Sequence, residues 1–140
     1  MHKIENTDGR ETTILGVFKR PDKFSVYLKK MQEKDYCVVT QSSVFKAVAD
    51  FSRDASDIVI IDADGLEEEL VDCVRVLRDV HPPVFILIVH DTSTRSTAVE
   101  GLRRGADALL MEPFYPEELN AIVDRWVMRA ASGQPVNDPT

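Results

Sequence analysis

Five short apolar runs alternate with five amphipathic segments along nearly the whole chain, and this alternation constrains the fold more than any other feature. The runs are rich in β-branched residues, as β-strands are. They are Thr13–Phe18, Tyr36–Thr40, Asp57–Asp62, Val84–Val89 and Ala108–Met111. The segments between them place apolar residues three and four positions apart, which is typical of helices with one buried face.

Strands that alternate with helices through connections of a few residues form parallel sheets with right-handed crossovers. Five units are too few for an eightfold barrel. The sequence therefore predicts an α/β fold with a doubly wound, five-stranded parallel sheet in the order 2-1-3-4-5, of the flavodoxin-like type. We expect one domain at 13–131, between a polar N-terminal extension at 1–12 and a polar tail or linker start at 132–140.

Charge and composition argue against several classes of function. The net charge is −7, whereas a domain that grips a phosphate backbone is usually basic, so we expect no direct contact with nucleic acid. No apolar run approaches the ~18 residues that cross a bilayer, and the N-terminus carries no apolar leader. We therefore expect a cytoplasmic protein with no membrane partner. Its two cysteines, Cys37 and Cys73, belong to no metal or redox motif and are expected to be reduced and buried.

The carboxyl ends of the strands are the expected place for a functional site. Ligands of open α/β sheets bind there, at the point where the strand order reverses, which is between strands 1 and 3 for the predicted order. No glycine-rich phosphate loop follows any strand, so nucleotide binding is not expected. His90 stands near a strand tip without a nucleophile beside it, and we interpret it as a solvated loop residue.

Four motifs in this order and spacing resemble the receiver domain of bacterial response regulators. They are Asp57-Ile-Val-Ile-Ile-Asp62, Pro83-Val-Phe-Ile-Leu87, Gly105-Ala-Asp107, and Pro113-Phe114 with the following Pro116-Glu-Glu-Leu119. The resemblance covers about residues 13–130. In that family an aspartate at the end of strand 3 accepts a phosphoryl group from a histidine kinase, and Asp62 falls on that position. The resemblance also implies a cis peptide bond before Pro113.

This chain departs from the family at the positions that support phosphoryl chemistry. Phe18 and Lys19 stand where the family has two Mg²⁺-binding acids, and Ile88 stands where it has threonine or serine. Leu109 replaces the switching aromatic residue, and Glu112 replaces a lysine. Magnesium prefers carboxylate and carbonyl oxygens, and phosphoryl transfer requires developing negative charge to be neutralised. These substitutions predict a degenerate pocket.

The exchange of charge between strands 1 and 5 suggests an internal ion pair. We expect Lys19 to pair with Asp62, with Glu112 or with both, in place of a metal ion. The alternative is that Lys19 and Glu112 both extend into solvent. We therefore expect no cofactor and no metal site. Mg²⁺ enters only if Asp62 is phosphorylated, and Asp64 is then the available replacement ligand.

These inferences together favour an atypical receiver domain that is not an enzyme and acts through protein–protein contacts without phosphorylation. Its partner is a histidine kinase, an output domain or a second copy of the chain. The resemblance places the partner surface on helix 4, strand 5 and helix 5, with Val99, Arg103, Leu109, Tyr115 and Asp124. Two alternatives stay open: a conventional receiver phosphorylated at Asp62, and a small enzyme that uses Asp62, Asp64 and Glu112 as acid and base.

Overall fold

A five-stranded parallel sheet forms the centre of this computed structural model, which describes residues 11–133. The strands are β1 (Thr13–Val17), β2 (Cys37–Gln41), β3 (Ile58–Asp62), β4 (Phe85–His90) and β5 (Ala108–Met111). Their hydrogen-bonded order is β2-β1-β3-β4-β5, and every neighbouring pair is parallel. The predicted fold class and strand order are confirmed.

Helices cover both faces of the sheet. They are α1 (Ser25–Glu33), α2 (Val44–Arg53), α3 (Leu70–Val80), α4 (Arg95–Arg103) and α5 (Pro116–Ser132), with short 3-10 helices at Pro21–Phe24 and Thr92–Thr94. The buried side chains of α2, α3 and α4 pack on one face, and those of α1 and α5 pack on the other. Within residues 11–133, every helix is too short or too polar to span a bilayer.

Capping residues explain where several of these helices begin and end. Ser43 caps α2, because its hydroxyl oxygen accepts the backbone N–H of Lys46. Pro116 opens α5, since its missing N–H would have no partner in the first turn. Gly133 closes α5 with a left-handed backbone, φ +77°, which favours glycine.

The central strand β3 is buried on both faces, as its apolar sequence predicts, while the edge strand β2 is not. Each residue of β3 is at most 1% exposed. By contrast, Cys37 of β2 is exposed and Val39 is 50% exposed. The expectation that Cys37 is buried is therefore wrong, because β2 lies at the edge of the sheet. Cys73 in α3 is buried as expected.

Ordered contacts are present close to both ends of the described residues. Thr12 is fully buried, and its carbonyl oxygen accepts the backbone N–H of Cys37. At the other end, α5 continues to Ser132. The rest of the predicted extension and tail, 1–10 and 134–140, lies outside the described residues.

Arg78 of α3 ties the helix to the amino ends of β4 and β5. Its guanidinium donates hydrogen bonds of 2.6 to 3.0 Å to backbone carbonyls that include those of Val84 and Gly105. It also pairs with the Asp107 carboxylate at 2.6 Å, and the same Asp107 oxygen accepts the N–H of Ile86 at 2.7 Å. The planar guanidinium of arginine has several N–H donors that can bond to all of these acceptors at once. A lysine ammonium cannot make the same set of hydrogen bonds.

We predict that Arg78→Lys lowers the free energy of unfolding by about 2 kcal/mol or more, because half-buried carbonyls and the Asp107 carboxylate lose their donors. Urea denaturation at neutral pH measures this change. Arg75→Lys is the matched control on the same helix, since Arg75 is exposed and lies 3.8 Å from a single carboxylate, that of Asp72. The control is expected to change stability by less than about 0.5 kcal/mol. Equal effects of the two substitutions would contradict the role given to Arg78.

Candidate functional site

Asp62 is the last residue of β3, at the carboxyl edge of the sheet between β1 and β4. Its side chain is 1% exposed. One carboxylate oxygen, Oδ1, accepts the backbone N–H of Asp64 at 3.2 Å. The other, Oδ2, lies 3.4 Å from the Nζ atom of Lys23. The polar groups around this buried carboxylate therefore come from its own loop and from the segment that follows β1.

The Lys23 ammonium lies among three carboxylates. Its Nζ atom is 3.0 Å from Glu112 Oε1, 3.4 Å from Asp62 Oδ2 and 3.6 Å from Asp64 Oδ2. The short 3-10 helix Pro21–Phe24 positions it, because Phe24, the next residue, is fully buried and fixes that turn against the core. A single lysine thus joins the segment after β1, the end of β3 and the end of β5.

Arg20 adds a second, more exposed cation at the edge of this cluster. Its Nη1 atom lies 3.3 Å from Asp64 Oδ2, with 70% of the Arg20 side chain exposed. Such an exposed pair contributes little to stability. Three carboxylates face two cations here, so the cluster retains one net negative charge when all five groups are ionised.

The surroundings change the acidity of two of these groups. Burial raises the pKa of Asp62 to about 6, and the nearby Glu112 carboxylate also raises it. The Asp64 N–H and the Lys23 ammonium act in the opposite direction, but they do not cancel the effect of burial. Burial lowers the pKa of Lys23, but its hydrogen bond to Glu112 and the surrounding carboxylates outweigh this and raise the pKa overall. Lys23 is therefore charged at neutral pH.

The predicted ion pair exists, but the predicted lysine is wrong. Lys19 is exposed and makes no ion pair with any residue in 11–133, while Lys23 bonds to both Asp62 and Glu112. The stem of Lys19 instead packs against Gly65: a Cβ atom added there would lie 2.8 Å from Lys19 Cβ. Because β1 ends at Val17 and the chain then turns, Lys19 falls on the outer side. Pro21 indicates a turn after β1, but the sequence alone does not show which lysine that turn directs toward Asp62.

Phe18 and Ile88 lie in the core and do not line a pocket, so their predicted placement is wrong. The Phe18 ring stacks on Phe24 with centroids 4.3 Å apart. It covers Gly16, where an added Cβ atom would lie 2.8 Å from the ring. Ile88 is fully buried beneath α4, and a Cβ atom at Gly101 would lie 2.6 Å from its Cδ1 atom. The first predicted acid position is thus filled by an aromatic stack.

His90, interpreted from the sequence as a solvated loop residue, is in fact the buried last residue of β4. It is 4% exposed, and its carbonyl oxygen accepts the backbone N–H of Glu112 at 2.7 Å. The strand therefore extends two residues beyond Ile88, and His90 is its end at the edge of the sheet that carries Asp62. The sequence did not indicate this end of the strand, because the apolar run stops at Val89 and the strand continues for one polar residue.

Most of the predicted partner surface lies around α4 and β5. Val99 and Arg103 share a groove on the outer side of α4, and 74% of the Arg103 side chain is exposed. Leu109 is half-buried and packs against the core beneath α2, α3 and α4. Tyr115, just before α5, is 75% exposed. The Glu112–Pro113 peptide bond between β5 and α5 is cis, which is the geometry that the resemblance implies.

Asp124 does not belong with this surface, and its assignment there is wrong. Its Oδ1 atom accepts a hydrogen bond from the Tyr36 hydroxyl at 2.7 Å, and its Oδ2 atom pairs with the Lys34 ammonium. Both partners lie at the end of α1 and the turn that follows it. Asp124 therefore holds α5 to the α1 side of the molecule.

The arrangement of these carboxylates does not fit a divalent metal. Asp62, Asp64 and Glu112 direct oxygens at the Lys23 ammonium, which lies where a shared cation would be held. Across residues 11–133, no three side chains of His, Cys, Asp or Glu form a group that could hold a metal ion. Magnesium needs several oxygen ligands at about 2 Å. The site presents a fixed ammonium among its oxygens instead.

Asp62, Asp64 and Glu112 lie apart from five grooves on the surface. These grooves have volumes of about 310 to 600 Å³ and are lined by other residues. Asp62 is nearly inaccessible, although its raised pKa would suit a general acid. A buried carboxylate bonded to an ammonium has no open position for a substrate.

Comparison with known proteins gives the fold class. The chain has the fold of response regulator receiver domains: a CheY-like receiver domain protein from Methanospirillum hungatei JF-1 superposes with a TM-score of 0.77 at 16% identity, over 87% of this chain and 98% of that one. A receiver domain protein from Clostridium thermocellum superposes with a TM-score of 0.74 at 18% identity, over 84% of this chain and 95% of that one. No family model matches the chain.

A transcriptional regulator is among the curated proteins similar in sequence. The alginate biosynthesis transcriptional regulatory protein AlgB from Pseudomonas aeruginosa is 27% identical over 116 residues, which are 83% of this chain and 26% of AlgB. The DNA-binding transcriptional regulator NtrC from Azospirillum brasilense is 31% identical over 86 residues, 60% of this chain and 17% of NtrC. The chain thus spans about a quarter or less of either relative.

The raised pKa of Asp62 makes a testable contribution to stability. The folded state holds the proton of Asp62 more tightly than the unfolded state, in which the pKa returns to about 3.8. The stabilisation is therefore complete below about pH 4 and is lost as the pH rises through about 6. We predict that Asp62→Asn, which cannot ionise, gains about 2 kcal/mol over the natural protein between about pH 4 and pH 7.

Urea denaturation of the two proteins across this pH range measures the difference. Asp79→Asn serves as the control, because Asp79 is exposed on α3 and has no ion-pair partner among the described residues. A stability difference between Asp62→Asn and the natural protein that stays constant with pH would refute the raised pKa.

Proposed function

We propose that this chain is a response regulator receiver domain of two-component signalling that acts through protein–protein contacts and without phosphorylation. The receiver fold supports the general class, and the chemistry of the site supports the atypical mode of action. Asp62 occupies the end of β3, where receivers carry their phosphoacceptor, but the groups around it are those of a closed ionic cluster. On this proposal the chain binds and catalyses nothing at this site.

One observation carries the proposal: the Lys23 ammonium is shared by Asp62, Asp64 and Glu112 at 3.0 to 3.6 Å. Phosphoryl transfer to Asp62 needs a cation that can also hold the incoming oxygens, together with positive charge on the leaving side. Lys23 is already bonded to the acceptor carboxylate, and Glu112 places a negative charge where the phosphoryl oxygens would arrive. Burial of Asp62 further removes it from an incoming donor.

The partners of this domain follow from the same proposal. A histidine kinase, an output domain or a second copy of the chain would contact the surface formed by α4 and β5, where Val99, Arg103 and Tyr115 are accessible. Both curated relatives are named as transcriptional regulators and are several times longer than the matched segment, which supports an output domain among these partners.

We predict that the protein, incubated with acetyl phosphate and Mg²⁺, shows no mass increase of the about 80 Da that one phosphoryl group adds. The measurement is intact mass spectrometry at neutral pH, with a conventional receiver domain treated in parallel as the positive control. The Asp62→Asn variant, treated in the same way, shows whether any mass increase arises from modification of Asp62. A shift that Asp62→Asn abolishes would overturn the proposal, whereas a shift that persists in that variant arises elsewhere and leaves Asp62 unmodified.

The role of Lys23 predicts a response to magnesium that the natural protein lacks. Lys23→Gln removes the ammonium and leaves three carboxylates close together, a set of oxygens that favours a hard cation. We expect millimolar Mg²⁺ to raise the melting temperature of Lys23→Gln by about 2–5 °C, and to leave the natural protein unchanged. Sodium chloride at the same ionic strength controls for screening.

Lys19→Gln is the matched variant for this experiment. It removes the same charge from a lysine four residues away, which makes no ion pair with the described residues. Lys19→Gln should behave as the natural protein does. An equal response of all three proteins to Mg²⁺ would show that Lys23 does not take the place of a metal ion.

A further inference from the structure

A groove between α2 and α3 lies on a different part of the surface from the ionic cluster. Its volume is about 450 Å³. One wall is the outer side of α2, with Val44, Phe45, Val48 and Ala49; the other is α3 and the turn before it, with Glu68, Glu69, Asp72, Cys73 and Val76. The groove is thus apolar along α2 and acidic along the start of α3.

Each wall of the groove carries an apolar side chain that is unusually exposed for a helix that packs on a sheet. Phe45 is 82% exposed and Val76 is 40% exposed, although each faces the groove. Exposure of a phenylalanine ring costs free energy that burial against a partner would recover, about 2 kcal/mol for a fully buried side chain. Neither residue is needed for the core, because other residues form the buried sides of the two helices. These are Ala47 and Phe51 on α2, and Leu70, Cys73, Val74 and Leu77 on α3.

The charges on the other wall indicate which partner fits. Three of the nine lining residues are carboxylates, and none is a lysine or an arginine. Asp72 lies 3.8 Å from Arg75, but Glu68 and Glu69 pair with no cation in the described part of the chain. An apolar strip beside uncompensated carboxylates is complementary to a helix with an apolar stripe flanked by lysine or arginine. An anionic membrane surface would be repelled.

We propose that the α2–α3 groove binds a basic amphipathic helix of a partner protein. Phe45 inserts into the apolar stripe of that helix, and Glu68 and Glu69 pair with the basic residues along its side. This surface is separate from the α4–β5 surface and from Lys23, so the inference does not depend on whether Asp62 is phosphorylated.

The test uses a fluorescein-labelled leucine–lysine peptide of about 16 residues, long enough for four helical turns with leucines on one side. We expect it to bind the full chain and to shift the backbone amide NMR signals of α2 and the start of α3. Phe45→Ala is expected to weaken binding at least about fivefold, because an aromatic anchor is lost. The paired substitution Glu68→Gln with Glu69→Gln is expected to weaken binding and to reduce its dependence on salt.

Matched variants outside the groove test specificity. Met128→Ala removes an apolar side chain that is 67% exposed on α5, and Glu33→Gln with Asp79→Asn removes two exposed carboxylates. Neither should change the affinity. A leucine–glutamate peptide with the same apolar pattern should not bind.

Three results would overturn the proposal. In the first, the NMR shifts fall outside α2 and α3, or Phe45→Ala binds as the natural protein does. In the second, the acidic peptide binds equally well, and the groove then recognises apolar surface alone. In the third, sedimentation equilibrium without peptide shows a dimer that Phe45→Ala dissociates, and the groove is then the contact between two copies of the chain.

Discussion

Burial of the Asp62 carboxylate is the constraint on which the rest of the site depends. β3 is the middle strand of a parallel sheet with helices on both faces, so its last residue is shielded from water as completely as its apolar ones. A lone carboxylate in such a place would be strongly disfavoured in its charged form. The Asp64 N–H and the Lys23 ammonium offset part of the free-energy cost of burying this charge. They do not offset all of it, and the pKa of Asp62 is therefore raised.

Lys23 and a divalent metal would solve this problem in different ways. Both neutralise the carboxylates, but a metal ion can leave and return, and it has ligand positions left for a substrate oxygen. The ammonium is attached to the chain, and the turn that carries it is anchored by the buried ring of Phe24. The ammonium therefore offsets part of the negative charge of the carboxylates in one fixed arrangement.

The sequence predicted the fold well because the fold depends on patterns that extend over many residues. The apolar runs at 57–62 and 84–89 indicated covered strands, and their spacing left one common sheet order. The site was predicted less well, because it depends on where single strands end. β1 ends one residue earlier and β4 one residue later than the apolar runs suggest. As a result, Phe18 follows β1 and lies in the core, and His90 is the last residue of β4 instead of a loop residue.

The ion pair of Asp62 is a second feature of the site that the sequence did not predict in full, because Lys19 and Lys23 were both possible partners. Both lysines follow β1, and composition, charge and distance along the chain do not separate them. A tertiary contact decides which lysine pairs with the carboxylates. Phe24 stacks on Phe18, and the turn that this stacking fixes directs Lys23 across the edge of the sheet to Glu112. The type of interaction was therefore predictable from the exchanged charges, while the residue that makes it was not.

The loop that begins at Asp62 connects the ionic cluster to the α2–α3 groove. It is pinned near both ends: the N–H of Ala63 donates to the Val89 carbonyl, and Leu66, which is 2% exposed, accepts the N–H of Leu70 through its own carbonyl. Glu68 and Glu69 lie inside this fixed segment. A binding surface that is already ordered loses less conformational entropy when a partner binds. The backbone hydrogen bonds that fix the loop after Asp62 thus also help to hold the acidic wall of the groove in one shape.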